Sequence, residues 1–303
     1  MDRDIRRDGV RRVLMAGDTH GNIGWIKRLA KAAADNDCPV IIQVGDFGYF
    51  PAHGEGRHFL TAVERACATN GIKLWFIDGN HDDHTSLAAL EHRHLPVAIS
   101  DHVTYLPRGT RLCLGDTAFG FLGGAFSVDW RDRVLGRDWW PNEITNSADV
   151  DRLGPGPLDV LITHDAPAGI NLSSPWRLPA DDQIRADDAR SVIARAVTTT
   201  TPRIVIHGHW HHGHDTEMTW IDRAQTERTG DLSWGSTRVV GLGCDGNIKH
   251  GWTVLDLPTL DIHWPPLQPD RQTTPTEAPT TPPASDNFSR RQLRIPPLES
   301  DGS

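Results

Sequence analysis

The sequence predicts an α/β fold in which two β-sheets pack face to face and helices cover their outer faces. Three observations support this fold. In the first third of the chain, short apolar strands alternate with amphipathic helices; the middle is rich in short strands and glycine turns; and later apolar strands again end in histidines. The chain has 303 residues, 38% hydrophobic and 23% charged, which is typical of a globular protein with a sizeable core.

The first hundred residues indicate a βαβαβ unit. Apolar strands are predicted over residues 12–16, 39–44 and 73–77, and helices over residues 22–35 and 56–69. Asn22 is a suitable N-cap for the first helix. Strands connected in this way run parallel with right-handed crossovers, and the loops at their carboxyl ends form one crevice. We therefore expect the polar residues that follow these strands to meet in space.

Short strands and glycine-rich turns dominate from about residue 97, and they indicate hairpins of a second, mixed or antiparallel sheet. The remaining predicted elements are strands at 103–106, 111–114, 117–122, 158–163, 203–206, 237–242, 252–256 and 261–264, and a helix at 182–197. Proline and threonine alternate after Trp264, with little that could form a core. We predict a catalytic domain over residues 1–264 and a disordered Pro/Thr-rich tail over residues 265–303.

The net charge and the spacing of the cysteines indicate the cellular compartment of the protein and the binding partners that are expected. The net charge of −9 argues against a general nucleic-acid coat protein, so nucleic acid is expected only as a substrate. The four cysteines are far apart without a CxxC pair, which indicates reduced thiols. The sequence shows neither a signal-peptide pattern nor a stretch long and apolar enough for a bilayer. We expect a cytoplasmic protein without a membrane partner, and the oligomeric state stays open.

Five polar blocks offer metal ligands, and most of them directly follow a predicted strand. They are Gly17-Asp18-Thr19-His20, Gly45-Asp46, Gly79-Asn80-His81-Asp82, His164 and His207-Gly208-His209-Trp210-His211. Carboxylate, amide and imidazole ligands together suit Mn, Fe, Zn or Ni better than Ca or Mg, and we favour two Mn²⁺ ions. Two such ions roughly 3.5–4 Å apart would clamp a phosphate and lower the pKa of a bridging water, so that hydroxide is the nucleophile.

In this order the blocks resemble the D-x-H, G-D, G-N-H-[DE], H and G-H-x-H pattern of calcineurin-like metallophosphoesterases, over about residues 12–256. The resemblance implies a four-layer α/β/β/α sandwich with two metal sites that share one carboxylate. The first site would use Asp18, His20, Asp46 and His211, and the second would use Asp46, Asn80, His164 and His209. The resemblance also implies that His81 protonates the leaving group or steadies the transition-state charge, with Asp82 orienting its ring.

The segment from Gly123 to Glu143 is similar to small metallophosphoesterases of bacteria and bacteriophages. It suggests that Arg133 pairs with a substrate phosphate and that Trp139 or Trp140 stacks on a base or an aromatic leaving group. The alternative is that the tryptophans fill a core and the arginine lies on the surface. Outside this segment, Asp165 is a candidate partner for His164. Asp245 lies in a late loop for which we weigh two roles, contact with the rim of the site and a turn, and we favour the turn.

The predicted function is metal-dependent hydrolysis of a phosphomonoester or phosphodiester. The sequence leaves open a protein Ser/Thr phosphatase, a nucleotide or cyclic-nucleotide phosphodiesterase and a nuclease, and its acidic balance favours a nucleotide or another small-molecule ester. A non-catalytic metal-bound scaffold is the alternative of another class, but Asp46 and His81 are both present. A P-loop nucleotide-binding protein is excluded because no GxxxxGK[ST] sequence occurs.

Overall fold

The computed structural model describes residues 9–90, 95–172 and 177–265. Within these ranges the strands are β1 (Arg12–Ala16), β2 (Val40–Gln43), β3 (Lys73–Phe76), β4 (Val97–Ala98), β5 (Val103–Tyr105), β6 (Thr110–Leu114), β7 (Thr117–Leu122), β8 (Val160–Thr163), β9 (Ile204–His207), β10 (His214–Ile221), β11 (Trp234–Gly241), β12 (Trp252–Asp256) and β13 (Ile262–His263). The helices are α1 (Ile23–Asp35), α2 (Gly54–Asn70), α3 (His84–Ala88), α4 (Ser147–Leu153), α5 (Ala180–Thr200) and α6 (Arg223–Thr229).

The strands form two mixed sheets, each with parallel strands at its centre. The first sheet has the order β13-β12-β1-β2-β3-β5-β4, and β1, β2, β3 and β5 are parallel. The second has the order β10-β11-β9-β8-β7-β6, and β11, β9, β8 and β7 are parallel. Because parallel strands end on the same edge of a sheet, each sheet directs several loops to one edge. Those loops carry the five polar blocks.

Three apolar clusters account for the layers of the fold. The central one joins the facing sides of both sheets, with Met15 and Ile42 from the first and Phe121 from the second. The second cluster packs α1 and α2 on the outer face of the first sheet, and the third packs α4 and α5 on the outer face of the second. The order is therefore helix, sheet, sheet, helix, which confirms the predicted two-sheet sandwich flanked by helices.

The predicted helices of the first half occur close to their expected bounds. The side chain of Asn22 accepts a hydrogen bond from the backbone nitrogen of Trp25 at 3.0 Å, so the predicted N-cap of α1 is confirmed. Helix α2 ends at Gly71, whose φ of 67° is left-handed and suits glycine. No helix in the described ranges is both long enough and apolar enough to span a bilayer.

Five of the described strands and helices were not predicted from the sequence: the edge strands β4 and β10 and the helices α3, α4 and α6. In β10 only Met218 and Trp220 are buried, because its other residues face solvent at the edge of the sheet, and its apolar alternation is correspondingly weak. The predicted Pro/Thr-rich tail lies outside the described residues, apart from Pro265 at its start.

Candidate metal centre

The loops that follow β1 and β2 bring the first carboxylates together. Asp18 and Asp46 are 0% and 1% exposed. The backbone nitrogens of Thr19 and His20 both donate to the carbonyl oxygen of Asp46, at 3.1 and 2.9 Å, and so tie the two loops to each other. The adjacent glycine of the third block is also required, because a Cβ at Gly79 would lie 2.1 Å from Oδ1 of Asp46.

The backbone at the site is strained at several expected ligands. Among the described residues, seven other than glycine have a positive φ, and four of these are His20, Asp46, His209 and His211, with φ between 43° and 64°. A left-handed conformation costs such a residue about 1–2 kcal/mol, so the surrounding contacts must hold it in place. The strain is concentrated where side chains from separate loops must point at one spot.

Four residues form a compact set of candidate ligands, which we call the outer group: Asp18, His20 and His211 together with Asp46. One ligand atom from each lies within 4.8 Å of the others. Nε2 of His211 is 3.0 Å from Oδ2 of Asp18, and Nε2 of His20 is 3.5 Å from Oδ2 of Asp46. These are the residues expected for the first metal site.

A second set, the inner group, consists of Asn80, His164 and His209 and adjoins the other oxygen of Asp46. Nε2 of His164 lies 3.1 Å from Oδ1 of Asn80 and 3.2 Å from Oδ1 of Asp46. The rings of His164 and His209 have centroids 5.2 Å apart. Oδ2 of Asp46 thus faces the outer group and Oδ1 faces the inner group, which is the arrangement that a shared carboxylate requires.

The chemistry of these groups fits divalent cations. Burial disfavours the charge on Asp46, but the neighbouring His164 and His81 hold the pKa of that carboxyl well below its usual range. Burial also opposes protonation of His164, yet the Asp46 charge raises the pKa of that imidazole to about 9. Oδ2 of Asp46 is buried without a hydrogen-bond donor. A cation would supply the missing partner and take the place of protons on the imidazoles.

His81 lies beside the shared carboxylate and is held by an arginine. Its backbone nitrogen donates to Oδ1 of Asp46 at 2.7 Å, and Nε2 of its ring is 2.7 Å from Nη2 of Arg133. The Arg133 side chain is only 4% exposed and pairs with Asp129 at 2.6 Å. Arg133 therefore lies beside His81 and contacts its ring through the guanidinium, and its pairing with a substrate phosphate stays a prediction.

The structure gives Asp82 a different role from the predicted one. Its carboxylate accepts hydrogen bonds from the backbone nitrogens of Phe47, Gly48, Tyr49 and Gly79, at 2.8 to 3.3 Å. Burial, together with the charge of Asp46, raises the pKa of Asp82 to about 7. Asp82 joins the loops after β2 and β3, and the expectation that it orients the His81 ring is wrong because its carboxylate oxygens accept from these backbone nitrogens, while the ring contacts Arg133.

The two tryptophans differ in their surroundings. Trp140 is 6% exposed, and its Nε1 donates to Oγ1 of Thr85 at 2.8 Å, so it has the structural role of the alternative interpretation. Trp139 is partly exposed, and its ring lies 5.4 Å from that of Trp130. Of the pair, only Trp139 keeps a partly exposed side chain, and the stacking of a substrate on it stays a prediction.

The structure also shows the partners of two further acidic residues. Oδ1 of Asp165 accepts from Nε1 of Trp210 at 2.9 Å, so Asp165 contacts the last histidine block, and the expected partnership with His164 is not seen. Asp245 lies in the predicted turn, where the backbone nitrogen of Asn247 donates to the carbonyl oxygen of Cys244 at 3.1 Å. Its side chain also reaches the outer group, where Oδ1 is 3.2 Å from Nδ1 of His20. The two residues are 225 positions apart. Only the late strand preceding Asp245 hinted that its loop lies near the site.

The chain has a low similarity to several proteins of solved structure. Among solved structures, a protein of Thermus thermophilus is 14% identical, with a TM-score of 0.48 over 84% of this chain and 98% of that one. A dimetal phosphatase from Danio rerio is 12% identical, with a TM-score of 0.46 over 82% of this chain and 93% of that one. No curated protein matches in sequence.

The family comparison covers the loops described above. The profile of the calcineurin-like phosphoesterases matches residues 11–213, about two thirds of the chain. This span includes all five polar blocks and ends just before β10. Phosphoesterases of this family use two divalent metal ions, and the four residues of the outer group are a possible ligand set for one of them. The chain belongs to the calcineurin-like phosphoesterase family.

Proposed function

We propose that this metal-dependent phosphoesterase hydrolyses a phosphomonoester or phosphodiester of a nucleotide or another small molecule. The observation that carries the proposal is the position of Asp46, whose two oxygens face two separate groups of candidate ligands. When bound, two divalent ions would polarise the phosphate and activate a water molecule for attack. Because the donors are oxygens and imidazole nitrogens, Mn²⁺ is our first choice, with Fe, Zn or Ni as alternatives.

The residues of the chain would hold these ions in two sites. Asp18, His20, Asp46 and His211 would form one, and Asp46, Asn80, His164 and His209 would form the other. The burial of Asp18, Asp46 and Asn80, which are at most 2% exposed, supports the assignment, since it would keep bulk water from competing for the ions.

His81 would act on the ester beside the shared carboxylate. An arginine can only donate hydrogen bonds, so at the 2.7 Å contact with Arg133 the Nε2 of His81 is the acceptor, and Nδ1 carries the hydrogen. A neutral imidazole of this form donates a hydrogen bond to an oxygen. The contact therefore favours a His81 that steadies the developing charge over one that transfers a proton to the leaving group.

The preference for a small ester rests on two features of the chain. Its net charge of −9 disfavours long polyanions, and the partly exposed Trp139 offers an aromatic surface next to the Arg133 segment. A protein Ser/Thr phosphatase and a nuclease remain the alternatives within the reaction class. They are distinguished by comparing a nucleotide panel with a phosphopeptide and a DNA duplex.

The test is substrate profiling with metal content measured on the same preparation. Protein stripped by a chelator is reloaded with Mn²⁺, Fe²⁺, Zn²⁺ or Ni²⁺ and assayed on para-nitrophenyl phosphate, its bis ester and cyclic nucleotides. We expect hydrolysis that depends on the added ion and is lost in Asp46→Asn. If every loaded form hydrolyses no faster than an Asp46→Asn, His81→Ala control, the chain is a metal-bound scaffold and the proposal is wrong.

A further inference from the structure

The loop that follows β11 contacts residues of the outer group, and it lies beyond the residues that the family profile matches. The backbone nitrogen of Asp245 donates to the carbonyl oxygen of Asp18 at 2.7 Å, which anchors the loop to the first polar block. Oδ1 of the Asp245 carboxylate is 3.2 Å from Nδ1 of His20. Its Oδ2 accepts from Nδ2 of Asn22 at 2.7 Å.

The orientation of Asn22 is determined by helix α1. Oδ1 of Asn22 accepts from the backbone nitrogen of Trp25 at 3.0 Å, so this oxygen is committed to capping the helix. The amide nitrogen of Asn22 must then point at Asp245. The backbone nitrogen of Trp25, the side-chain amide of Asn22 and the carboxylate of Asp245 therefore form a short series of hydrogen bonds, in which each group can act only as the donor or only as the acceptor at each contact.

This chain of hydrogen bonds determines which nitrogen of His20 carries hydrogen. A carboxylate only accepts, so Nδ1 of His20 must donate to Asp245, and in the neutral ring, the form that binds a metal ion, the electron pair is then on Nε2. Nε2 is also the nitrogen that faces Oδ2 of Asp46, at 3.5 Å. A metal ligand needs its electron pair on that side.

We infer that Asp245, oriented by Asn22, is a positioning residue that keeps His20 in the tautomer able to bind a metal ion. The inference rests on the proposed function, because it takes His20 as a ligand of the outer group. It applies to one of the two sites only. The corresponding nitrogen of His164 in the inner group lies 2.9 Å from the backbone oxygen of Val44, independently of Asp245.

The substitution Asp245→Asn tests this role. The asparagine side chain has one acceptor oxygen, whereas the carboxylate has two. The amide nitrogen of Asn22 takes that one oxygen as its acceptor. The new amide nitrogen then turns to His20 and donates to Nδ1, which moves the ring hydrogen to Nε2, on the metal side. We expect one of two Mn²⁺ equivalents to bind about 10–100-fold more weakly and the other to stay unchanged.

A matched pair of variants separates tautomer control from charge. Asp245→Ala removes the charge but leaves His20 free to adopt either tautomer, so it should weaken the site less than Asp245→Asn. In the exchange Asn22→Asp with Asp245→Asn, the carboxylate caps α1 and accepts from the new amide, whose oxygen can again accept from Nδ1 of His20. We expect the exchange to restore Mn²⁺ binding to within about threefold of the wild type, well inside the 10–100-fold loss.

The measurement is calorimetric titration of the full chain with Mn²⁺ after chelator treatment, with thermal unfolding of each metal-free variant as a check on folding. Asp215→Asn, which removes a carboxylate paired with Arg238 on the surface, serves as the charge control. Wild-type binding by Asp245→Asn, or an equal or larger loss in Asp245→Ala, would overturn the inference.

The outcomes also separate this inference from the proposed function. A wild-type protein that binds two equivalents without hydrolysing any ester would remove the proposed function and leave the role of Asp245 intact. An active enzyme whose Asp245→Asn variant binds like the wild type would overturn the role of Asp245 alone. A wild-type chain that binds none of Mn²⁺, Fe²⁺, Zn²⁺ and Ni²⁺ would overturn both.

Discussion

His164 is completely buried and rests on a backbone oxygen, whereas the side chains of His20 and His211 are 27% and 46% exposed and depend on side-chain partners. His164 of the inner group thus lies inside the β-sandwich, whereas the two histidines of the outer group lie partly exposed at its edge. Burial resists solvent and screening, while exposed polar contacts are weaker and more easily rearranged. We therefore expect that changes which disrupt the inner group also destabilise the fold, whereas changes in the outer group can weaken metal binding while the protein stays folded.

The largest effect on the free energy of unfolding should come from the buried ion pair of Arg108 and Asp78, which lies next to the Asn80 loop of the inner group. Nε and Nη2 of Arg108 donate to Oδ2 of Asp78 at 2.8 and 2.6 Å, and Asp78 is 1% exposed and precedes the Asn80 loop. Arg108→Met leaves this carboxylate buried without its partner, which costs about 3–5 kcal/mol in such cases. Urea unfolding of the metal-free protein should show that loss.

The control for this prediction is an exposed ion pair. Arg195→Met removes the partner of Asp151 on the surface, where the two side chains are 43% and 67% exposed. Its effect on the free energy of unfolding should stay below about 1 kcal/mol. If Arg108→Met is no more destabilising than Arg195→Met, the inner group does not depend on the buried network.

Loss of an outer ligand should weaken metal binding while the protein stays folded. His211→Ala removes an imidazole whose pKa is raised to about 10: burial opposes this shift, but hydrogen bonds to Asp18 and Cys244 outweigh burial. We expect at least about a 100-fold loss of affinity for one Mn²⁺ equivalent, since even indirect partners of a ligand are worth 10–100-fold. The melting temperature of the metal-free protein should also fall, because the buried Asp18 loses this partner, but a cooperative unfolding transition should remain.

The neighbouring His212→Ala is the matched control, because Nδ1 of His212 contacts the backbone oxygen of Trp210 and not the ligand set. Titration with Mn²⁺ should give wild-type affinities for this variant. Equal losses in both variants would mean that the last histidine block binds metal as a tract instead of through His211.

A third prediction concerns pH and the support of the inner group. Glu143 is fully buried, and its carboxylate accepts from the backbone nitrogen of Ser127 at 3.1 Å, while Oγ of Ser127 accepts from Nδ2 of Asn80. Burial raises the pKa of Glu143 from its usual 4.5 to about 7. The neutral form is favoured in the folded state, so this contribution is complete below pH 4.5 and is lost as the pH rises through 7.

Glu143→Gln imitates the neutral form and should remove this dependence. Between about pH 5 and pH 8 the wild type should lose about 1–3 kcal/mol more of its unfolding free energy than the variant does. Urea titrations of the metal-free proteins at several pH values measure the difference, and the histidines titrate equally in both. Parallel pH profiles would contradict a raised pKa for Glu143.

The contrast between the groups also explains what could be predicted from the sequence. Strands, their parallel order and the loops that follow them are local patterns, so Asp18, Asp46 and Asn80 could be expected to meet. Side-chain partners across the site are not local. The contact of Asp245 with His20 depends on a late strand that enters beside β9, and nothing near Asp245 in the sequence distinguishes it from a turn residue.

Burial within the segment from Gly123 to Glu143 could not be predicted either. Arg133 and Trp140 have the residue types of a substrate site, and only the fold shows that one is held by Asp129 and the other by Thr85. Residue type states what a side chain can bind, while its distance from a packed neighbour decides whether it is available. Of the three predicted substrate residues, Trp139 alone keeps a partly exposed side chain without a hydrogen bond that explains its position.

The smallest effect, and the one that bears on the substrate, should follow from Trp139→Ala. The backbone oxygen of the preceding residue, Asp138, accepts from Nη1 of Arg133 at 3.3 Å, and Nη2 of Arg133 contacts His81, so the backbone next to Trp139 is connected to His81 through one arginine. If a base or another aromatic group rests on this ring, its loss should raise KM for such esters about fivefold, equal to ~1 kcal/mol of stacking. An alkyl phosphate should keep its KM, and kcat should hardly change for either. Trp140→Phe, which loses a hydrogen bond to Thr85 and part of a buried ring, should lower stability by about 1–3 kcal/mol without changing KM. If KM rises equally for aromatic and alkyl esters in Trp139→Ala, the ring shapes the site without recognising the leaving group, and the preference for a nucleotide loses its structural support.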